Sequence, residues 1–277
     1  MYEAFYGLKQ KPFTLLPDPE FILPTHQHRT AMMMLEYALF NGAPFCVITG
    51  EIGTGKSVLV QNLLDRLDDE VTVGLITNTQ ASIGELLQWV LMAFNLDYTG
   101  KTKVELYHVL VDFIKSEYAN NRRTVLIVDE AQNLGGQILE ELRMLSNINA
   151  GKDQLLQMIL VGQHQLRELL RQPQLEQFAQ RIVVNYHLEP LTEEETENYI
   201  YHRLCIAGAE NNRLFTEEAC KSVHSYSGGV PRLINMLCDL AMVYGYAEEA
   251  NRIGVEIVNS VARDRLKHGI APLKNTA

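Results

Sequence analysis

The chain carries two kinds of apolar pattern in alternation. Short apolar runs of strand length stand at Phe45-Cys46-Val47-Ile48-Thr49, Val71 to Thr77, Thr124 to Val128, Leu156 to Val161 and Ile182 to Tyr186. Thr124-Val125-Leu126-Ile127-Val128 has no polar alternation, as expected of a parallel strand buried on both faces. Between the runs lie stretches with helical spacing. Residues 28–41 place Met32, Leu35, Leu39 and Phe40 on one side, and Val58 to Leu67 follows the first strand. Ser82-Ile83-Gly84-Glu85 is a capping-box pattern that opens a helix through Phe94, and Thr102 to Glu105 opens another through Tyr118. A further helix runs from about Gln137 to Asn147. Strands alternating with helices predict an open, mostly parallel α/β sheet.

The pattern changes after Pro190. Thr192 to Glu195 is a third capping box, opening a helix through Ala207, and helical stretches follow at Thr216 to Ser225, Pro231 to Tyr246 and Val255 to Lys267. No strand signal remains. A boundary near 188–192 divides an α/β core, residues 1–190, from a small helical domain, residues 191–268. Residues 269–277 are expected to form a flexible tail. The first 25 residues, with Pro12-Phe13, Pro17-Asp18-Pro19 and Pro24, read as an ordered but irregular lead-in to the core.

Composition adds limits. The 277 residues are 47% hydrophobic with a net charge of −10 and a pI near 5.3, which argues against a generic basic DNA-binding surface. Cys46, Cys205, Cys220 and Cys238 show no C-x-x-C pairing and lie in apolar patterns, so buried free thiols in a reducing compartment are expected. The N-terminus lacks the regions of a signal peptide. No apolar run approaches the roughly 18–20 residues that cross a bilayer. The expected location is the cytoplasm, with any membrane role peripheral or through a partner.

The chemistry concentrates in two places. Gly50-Glu51-Ile52-Gly53-Thr54-Gly55-Lys56-Ser57 is a complete G-x-x-x-x-G-K-[ST] phosphate loop between a strand and a helix. Its glycines allow consecutive N–H groups to form an anion nest, and the following helix, from Val58, adds its positive end. Lys56 supplies a point charge for the β- and γ-phosphates, and the Ser57 hydroxyl suits Mg²⁺. Val125 to Val128 then ends in Asp129 and Glu130, where a parallel sheet turns its carboxyl edge to a ligand. Asp129 suits a Mg²⁺-bound water and Glu130 suits a base acting on the attacking water. His26 and His28 are poorly spaced for a metal site. Met32-Met33-Met34 reads as core and packing surface, and Arg122-Arg123 as the solvated turn before a strand.

These motifs resemble Walker A and Walker B of an AAA+ ATPase. The resemblance implies a P-loop NTPase core with a C-terminal helical lid, and ATP and Mg²⁺ as ligands. It implies a sensor after the fourth strand, where Gln163 stands in place of the more usual asparagine or threonine. It also implies an arginine before the fifth strand that reaches a neighbouring subunit's nucleotide, which Arg181 matches, and a second sensor arginine at a lid helix start, which Arg232 matches in Gly228-Gly229-Val230-Pro231-Arg232. Arg143, on the helix after the Walker B strand, faces either a neighbouring subunit or solvent.

Phe5-Tyr6-Gly7-Leu8-Lys9, Asp129-Glu130-Ala131-Gln132-Asn133-Leu134, Leu139 to Asn147 and Tyr186 to Leu191 narrow the resemblance to the ExeA (GspA) group, over residues 1–267. That group implies an oligomeric, Mg²⁺-dependent ATPase acting with protein components of type II secretion or MSHA-type pilus biogenesis, reaching the inner membrane through a partner. The chain looks more like the short, pilus-associated members than those with a peptidoglycan-binding region. Two other readings stay open: an ATP-switched, DNA-binding regulator such as a transposition target selector, and a nucleotide-gated scaffold whose turnover is incidental. Nucleic acid therefore stays open as a partner.

Overall fold

The computed structural model describes residues 1–15, 19–21, 23–77, 85–209, 213–268 and 273. The chain divides into two compact units, one of residues 27–50 and 59–188, the other of residues 1–26, 51–58 and 189–277.

The first unit is built on five parallel strands. They are β1 (Phe45–Gly50), β2 (Val71–Ile76), β3 (Arg123–Val128), β6 (Leu156–Gly162) and β7 (Ile182–Leu188), in the order β2-β3-β6-β1-β7. Every residue of β1 and β6 is buried, and all of β3 except Arg123, whereas β2 and β7 are mixed. The runs buried throughout are thus the three central strands and the partly exposed ones are the edges. Alternation sorts the side chains: Phe45, Val47, Leu126, Val128, Met158 and Leu160 join one core layer, and Cys46, Ile48, Val125, Ile127, Ile159 and Val161 the other. Each such side chain contributes on the order of 1.5–3 kcal/mol of burial.

Helices cover both faces. Leu35 and Leu39 of α1 (His26–Phe40) and Leu59 and Leu63 of α2 (Lys56–Leu64) pack in the layer with Ile48. The opposite layer takes α3 (Leu86–Ala93), α4 (Lys103–Ala119), α5 (Gly135–Leu145) and the short α6 (His164–Leu170) and α7 (Glu176–Ala179). Thr102 and Glu105 form the expected capping box on α4. The expected box over Ser82 to Glu85 lies partly outside the described residues; α3 starts at Leu86, with Glu85 and Gln88 as its box. Before β6 the chain makes a small hairpin, β4 (Asn149–Ala150) with β5 (Asp153–Gln154), which the apolar pattern does not announce. Gln157, buried in β6, donates to the carbonyls of Ala38 and Leu39 at 3.2 Å, so the end of α1 satisfies a polar side chain in an apolar strand.

The second unit gathers α8 (Glu193–Ile206), α9 (Glu217–Ser227), α10 (Pro231–Ala247) and α11 (Val255–His268) around one core. A single parallel bridge, Phe215 to Ile253, adds strand character that the sequence pattern lacks. The lead-in belongs to this core through Tyr2, Leu8, Phe13 and Phe21. Arg203 of α8 is buried: its Nε donates to the Pro12 carbonyl, its Nη1 donates to Tyr199 Oη at 2.9 Å, and its guanidinium lies 4.6 Å from the Phe21 ring centroid. Lys9 N–H also donates to the Ala207 carbonyl at 2.8 Å.

The cysteine expectation needs correction. Cys46, Cys220 and Cys238 are buried free thiols, but Cys205 is exposed, because its place on α8 faces away from the core that takes Leu204. Among the methionines of α1, Met32 is buried while Met33 and Met34 are exposed. Arg122 pairs with Glu117, and the Arg123 guanidinium lies over the Phe40 ring. Residues 269–277, expected as a tail, lie outside the described residues apart from Leu273.

Candidate nucleotide site

The phosphate loop folds around one carbonyl. Glu51 O accepts from Thr54 N–H at 3.4 Å, from Thr54 Oγ1 at 2.9 Å and from Lys56 Nζ at 2.8 Å. Gly53 and Gly55 have φ of +85° and +101°, which L side chains rarely adopt, and α2 starts at Lys56. Lys56 is 7% exposed, so its ammonium is held in a largely desolvated loop. Ile52 stands exposed at the tip, and Ser57 is exposed in the first turn of α2.

The same unit brings Arg232 to this loop. Gly228 (φ +57°) closes α9, and Gly229 (φ +75°) passes so close to Leu191 that a Cβ there would stand 1.9 Å from its carbonyl oxygen. Pro231 then opens α10, with Arg232 exposed in its first turn. A Cβ on Gly53 would approach Arg232 Cβ to 2.6 Å.

In the α/β unit the three central strands end together. β6 lies between β3 and β1, with Val128 opposite Leu160 and Thr49 opposite Gly162. The chain continues from β3 into Asp129, whose N–H donates to the Ile76 carbonyl at 2.8 Å and whose Oδ1 accepts from Glu130 N–H at 2.9 Å. Glu130 has φ +52° and ψ +36°, a left-handed conformation unusual for a residue with a side chain. Its Oε2 accepts from Gln163 Nε2 at 3.0 Å and from Gln132 Nε2. Gln132 Oε1 in turn accepts from the Gln163 N–H at 3.0 Å. Thus Glu130 and Gln163 are brought together, and Gln132, which carried no role in the sequence reading, joins them. On β1, buried Thr49 Oγ1 stands 2.8 Å from His187 Nδ1 of β7.

Arg181 is engaged elsewhere in this unit. Its Nη1 donates to Ser146 Oγ at 2.5 Å and lies 3.5 Å from the Arg143 carbonyl, at the C-terminal end of α5. The cation suits that helix end. Arg143 itself pairs with Glu140 on the same helix at 2.7 Å.

For a divalent ion, no group of three or more His, Cys, Asp or Glu side chains comes together among the described residues. Ser57 and Asp129 each offer a hard oxygen, the donor type Mg²⁺ takes alongside substrate phosphates rather than in an all-protein cage. Among the described residues no helix is long and apolar enough to cross a membrane.

Comparison with known proteins bears on the family and the fold. Residues 40–170 match the model of the AAA domain. General secretion pathway protein A of Aeromonas hydrophila is 38% identical over 254 residues, covering 91% of this chain but 46% of that protein. The chain thus spans less than half of that relative's length. Among solved structures, the ORC2 protein of Aeropyrum pernix superposes with a TM-score of 0.64 at 16% identity, over 92% of this chain and 72% of that one. Cdc6p of Pyrobaculum aerophilum gives 0.65 at 16% identity, over 90% and 71%. The RuvB branch-migration motor of Thermotoga maritima gives 0.55 at 19% identity, over 92% and 73%. These likenesses show the fold.

Proposed function

We propose that this chain, which matches the AAA domain model over residues 40–170 and is 38% identical to General secretion pathway protein A over 91% of its length, is an AAA-type, Mg²⁺-dependent ATPase of a secretion or type IV/MSHA-type pilus machine, working as an oligomer in the cytoplasm. The observation that carries the reading is the common edge of the three buried strands: β1 and β3 flank β6, so Gly50, Asp129 and Gln163 lie at or just beyond adjacent strand ends.

In this reading Gly50 to Val58 hold the triphosphate, with Lys56 at the β- and γ-phosphates. Ser57 and Asp129 would hold Mg²⁺, which when bound supplies a Lewis acid at the phosphate oxygens. Glu130 takes the proton of a water that adds to the γ-phosphorus as the bond to the bridging oxygen of ADP breaks. Gln163 fixes that carboxylate. Arg232, carried by a lid of residues 191–268, and Arg181 of a neighbouring copy meet the developing negative charge. The cycle shifts lid and neighbour, and that motion acts on protein components of the envelope machine.

The test has two arms. Lys56→Ala is expected to lose nucleotide binding, and Glu130→Gln to bind ATP but hydrolyse it at least about a hundredfold more slowly. Undiminished turnover by Glu130→Gln would remove the assignment of the base. In cells, gene disruption is expected to reduce the secreted proteins or surface pili, with rescue by the parent gene and none by Glu130→Gln.

A further inference from the structure

We propose that Gln132 is a positioning residue that holds Glu130 and Gln163 in one arrangement; this rests on the reading of Glu130 as the base. Glu130 Oε2 accepts two amide donors, Gln163 Nε2 at 3.0 Å and Gln132 Nε2. Without Gln132 that oxygen loses one of these two amide donors, and Gln163 N–H loses the Gln132 Oε1 acceptor that fixes it at 3.0 Å. Three residues from two strand ends therefore form one closed set: Gln163 after β6, through both its backbone N–H and its side-chain amide, and Glu130 and Gln132 after β3, through their side chains.

Two independent features fit this assignment. The first is Gly162, the last residue of β6. A Cβ there would stand 2.8 Å from Gln132 Oε1, so glycine leaves the space through which the amide reaches Gln163. The second is the backbone. Glu130 is left-handed and is followed at once by a 3-10 turn, Ala131–Asn133, whose Ala131 is fully buried. That turn carries Gln132 back toward the carboxylate two positions before it. A left-handed glutamate costs conformational energy, and a side-chain bond across its own turn helps to hold it.

The consequence is directional. Gln132 has no role as a proton acceptor, because an amide does not take a proton at neutral pH. It acts by restricting where the Glu130 carboxylate stands, so its loss is expected in the rate step and not in nucleotide affinity. A displacement of the β6 end reaches Glu130 through the same two amides.

The experiment compares steady-state hydrolysis and binding of a fluorescent ATP analogue for the full chain and for Gln132→Met, Glu130→Gln and the double variant, with thermal unfolding as the fold check. Methionine keeps the length of the side chain and donates nothing. Gln132→Met is expected to leave KM and nucleotide affinity within about twofold and to lower kcat about tenfold. In the Glu130→Gln background the same change is expected to add nothing, because the two residues act as a unit. Gly162→Ala, which crowds Gln132 without removing it, is expected to lower kcat in the same way. If Gln132→Met fails the fold check, Gln132→Asn, one methylene shorter, replaces it in the same comparison. A kcat within twofold of the parent, or a loss that keeps its full size when Glu130 is already Gln, overturns the role of Gln132 while leaving Glu130 as base. Parent-level turnover by Glu130→Gln overturns both together.

Discussion

The backbone N–H of Arg232 donates to the carbonyl oxygen of Gly53 at 3.3 Å. The first turn of α10 is thereby joined to the phosphate loop through main-chain atoms, independently of what the arginine side chain does. The contact exists because Gly53 has no side chain: Arg232 Cβ and Val230 Cγ1 would stand 2.6 Å and 3.3 Å from a Cβ there.

Gly53→Ala is therefore expected to weaken nucleotide binding about tenfold or more, by combining a left-handed alanine with a clash on Arg232. Titration with a fluorescent nucleotide measures it. Gly42→Ala is the control, because its φ is also positive (+68°) but nothing stands within 4 Å of the added carbon. It should lower the melting temperature slightly and leave affinity unchanged. Equal affinity losses in both variants would remove any special role for the Gly53 contact.

Arg181 has a partner in its own chain, Ser146 Oγ, as well as the proposed role across a subunit boundary. The two roles separate by concentration. Arg181→Ala is expected to bind nucleotide normally, to lose on the order of 1 kcal/mol of stability with its hydrogen bond, and to lose hydrolysis only where the parent assembles. Ser146→Ala should share the stability loss and keep most of the turnover. The measurement is specific activity against protein concentration. An equal loss for Arg181→Ala in dilute, monomeric samples would exclude action on a neighbour.

Glu117 sets an acid limit on the α/β unit. Its carboxylate accepts from Arg122 Nε at 2.7 Å and Nη2 at 2.5 Å and from the Thr72 hydroxyl. Arg122 first, then Thr72, pull its pKa from the ordinary 4.5 down to about 2 against the opposing effect of burial. A depressed carboxylate stabilises the fold fully above its unfolded pKa. That contribution is lost as pH falls from about 4.5 to about 2. Because Arg122 is 40% exposed, screening limits it to on the order of 1 kcal/mol. Urea unfolding of the parent and Glu117→Gln from pH 7 to pH 2 checks this: the gap should close across that window, and a constant gap would contradict it.

Gly229→Ala should be the most damaging of these changes. Its Cβ would fall 1.9 Å from the Leu191 carbonyl oxygen, at a φ of +75° and beside the 2.8 Å bond from Leu191 N–H to the Gly229 carbonyl. Backbone cannot move aside as a flexible side chain can, so a loss of roughly 3 kcal/mol or more is expected in chemical denaturation. A loss under 1 kcal/mol would mean that this turn relaxes freely.

Much of the scaffold was legible because its signals are local. The apolar runs of β1, β3 and β6, interrupted in β6 by Gln157, follow from burial on both faces, and Thr102 and Thr192 announce helix starts through side chains three residues apart. The phosphate loop is likewise contiguous. What stayed hidden depends on contacts between distant positions. Gln132 gains its importance only when β6 places Gln163 beside it, 31 positions on. The β4–β5 hairpin has two residues per strand, too few for any period to show. Arg203 looks like a surface charge on a polar helix until Pro12 and Phe21 are seen around it. The left-handed Glu130 has no glycine to mark it.

That buried arginine has a consequence for the newborn chain. The carbonyl of Pro12 meets its guanidinium partner 191 positions later. At about 5–20 residues per second of synthesis, the opening segment waits on the order of 10–40 s for the helix that receives it. All residues of the α/β unit have been made once Leu188 is added, before α8 exists. Ribosome-bound chains stopped far enough beyond Leu188 for β7 to clear the exit tunnel, with α8 still inside it, should therefore protect β1, β3 and β6 from hydrogen exchange while Tyr2, Phe13 and Phe21 remain open to proteases and chaperones.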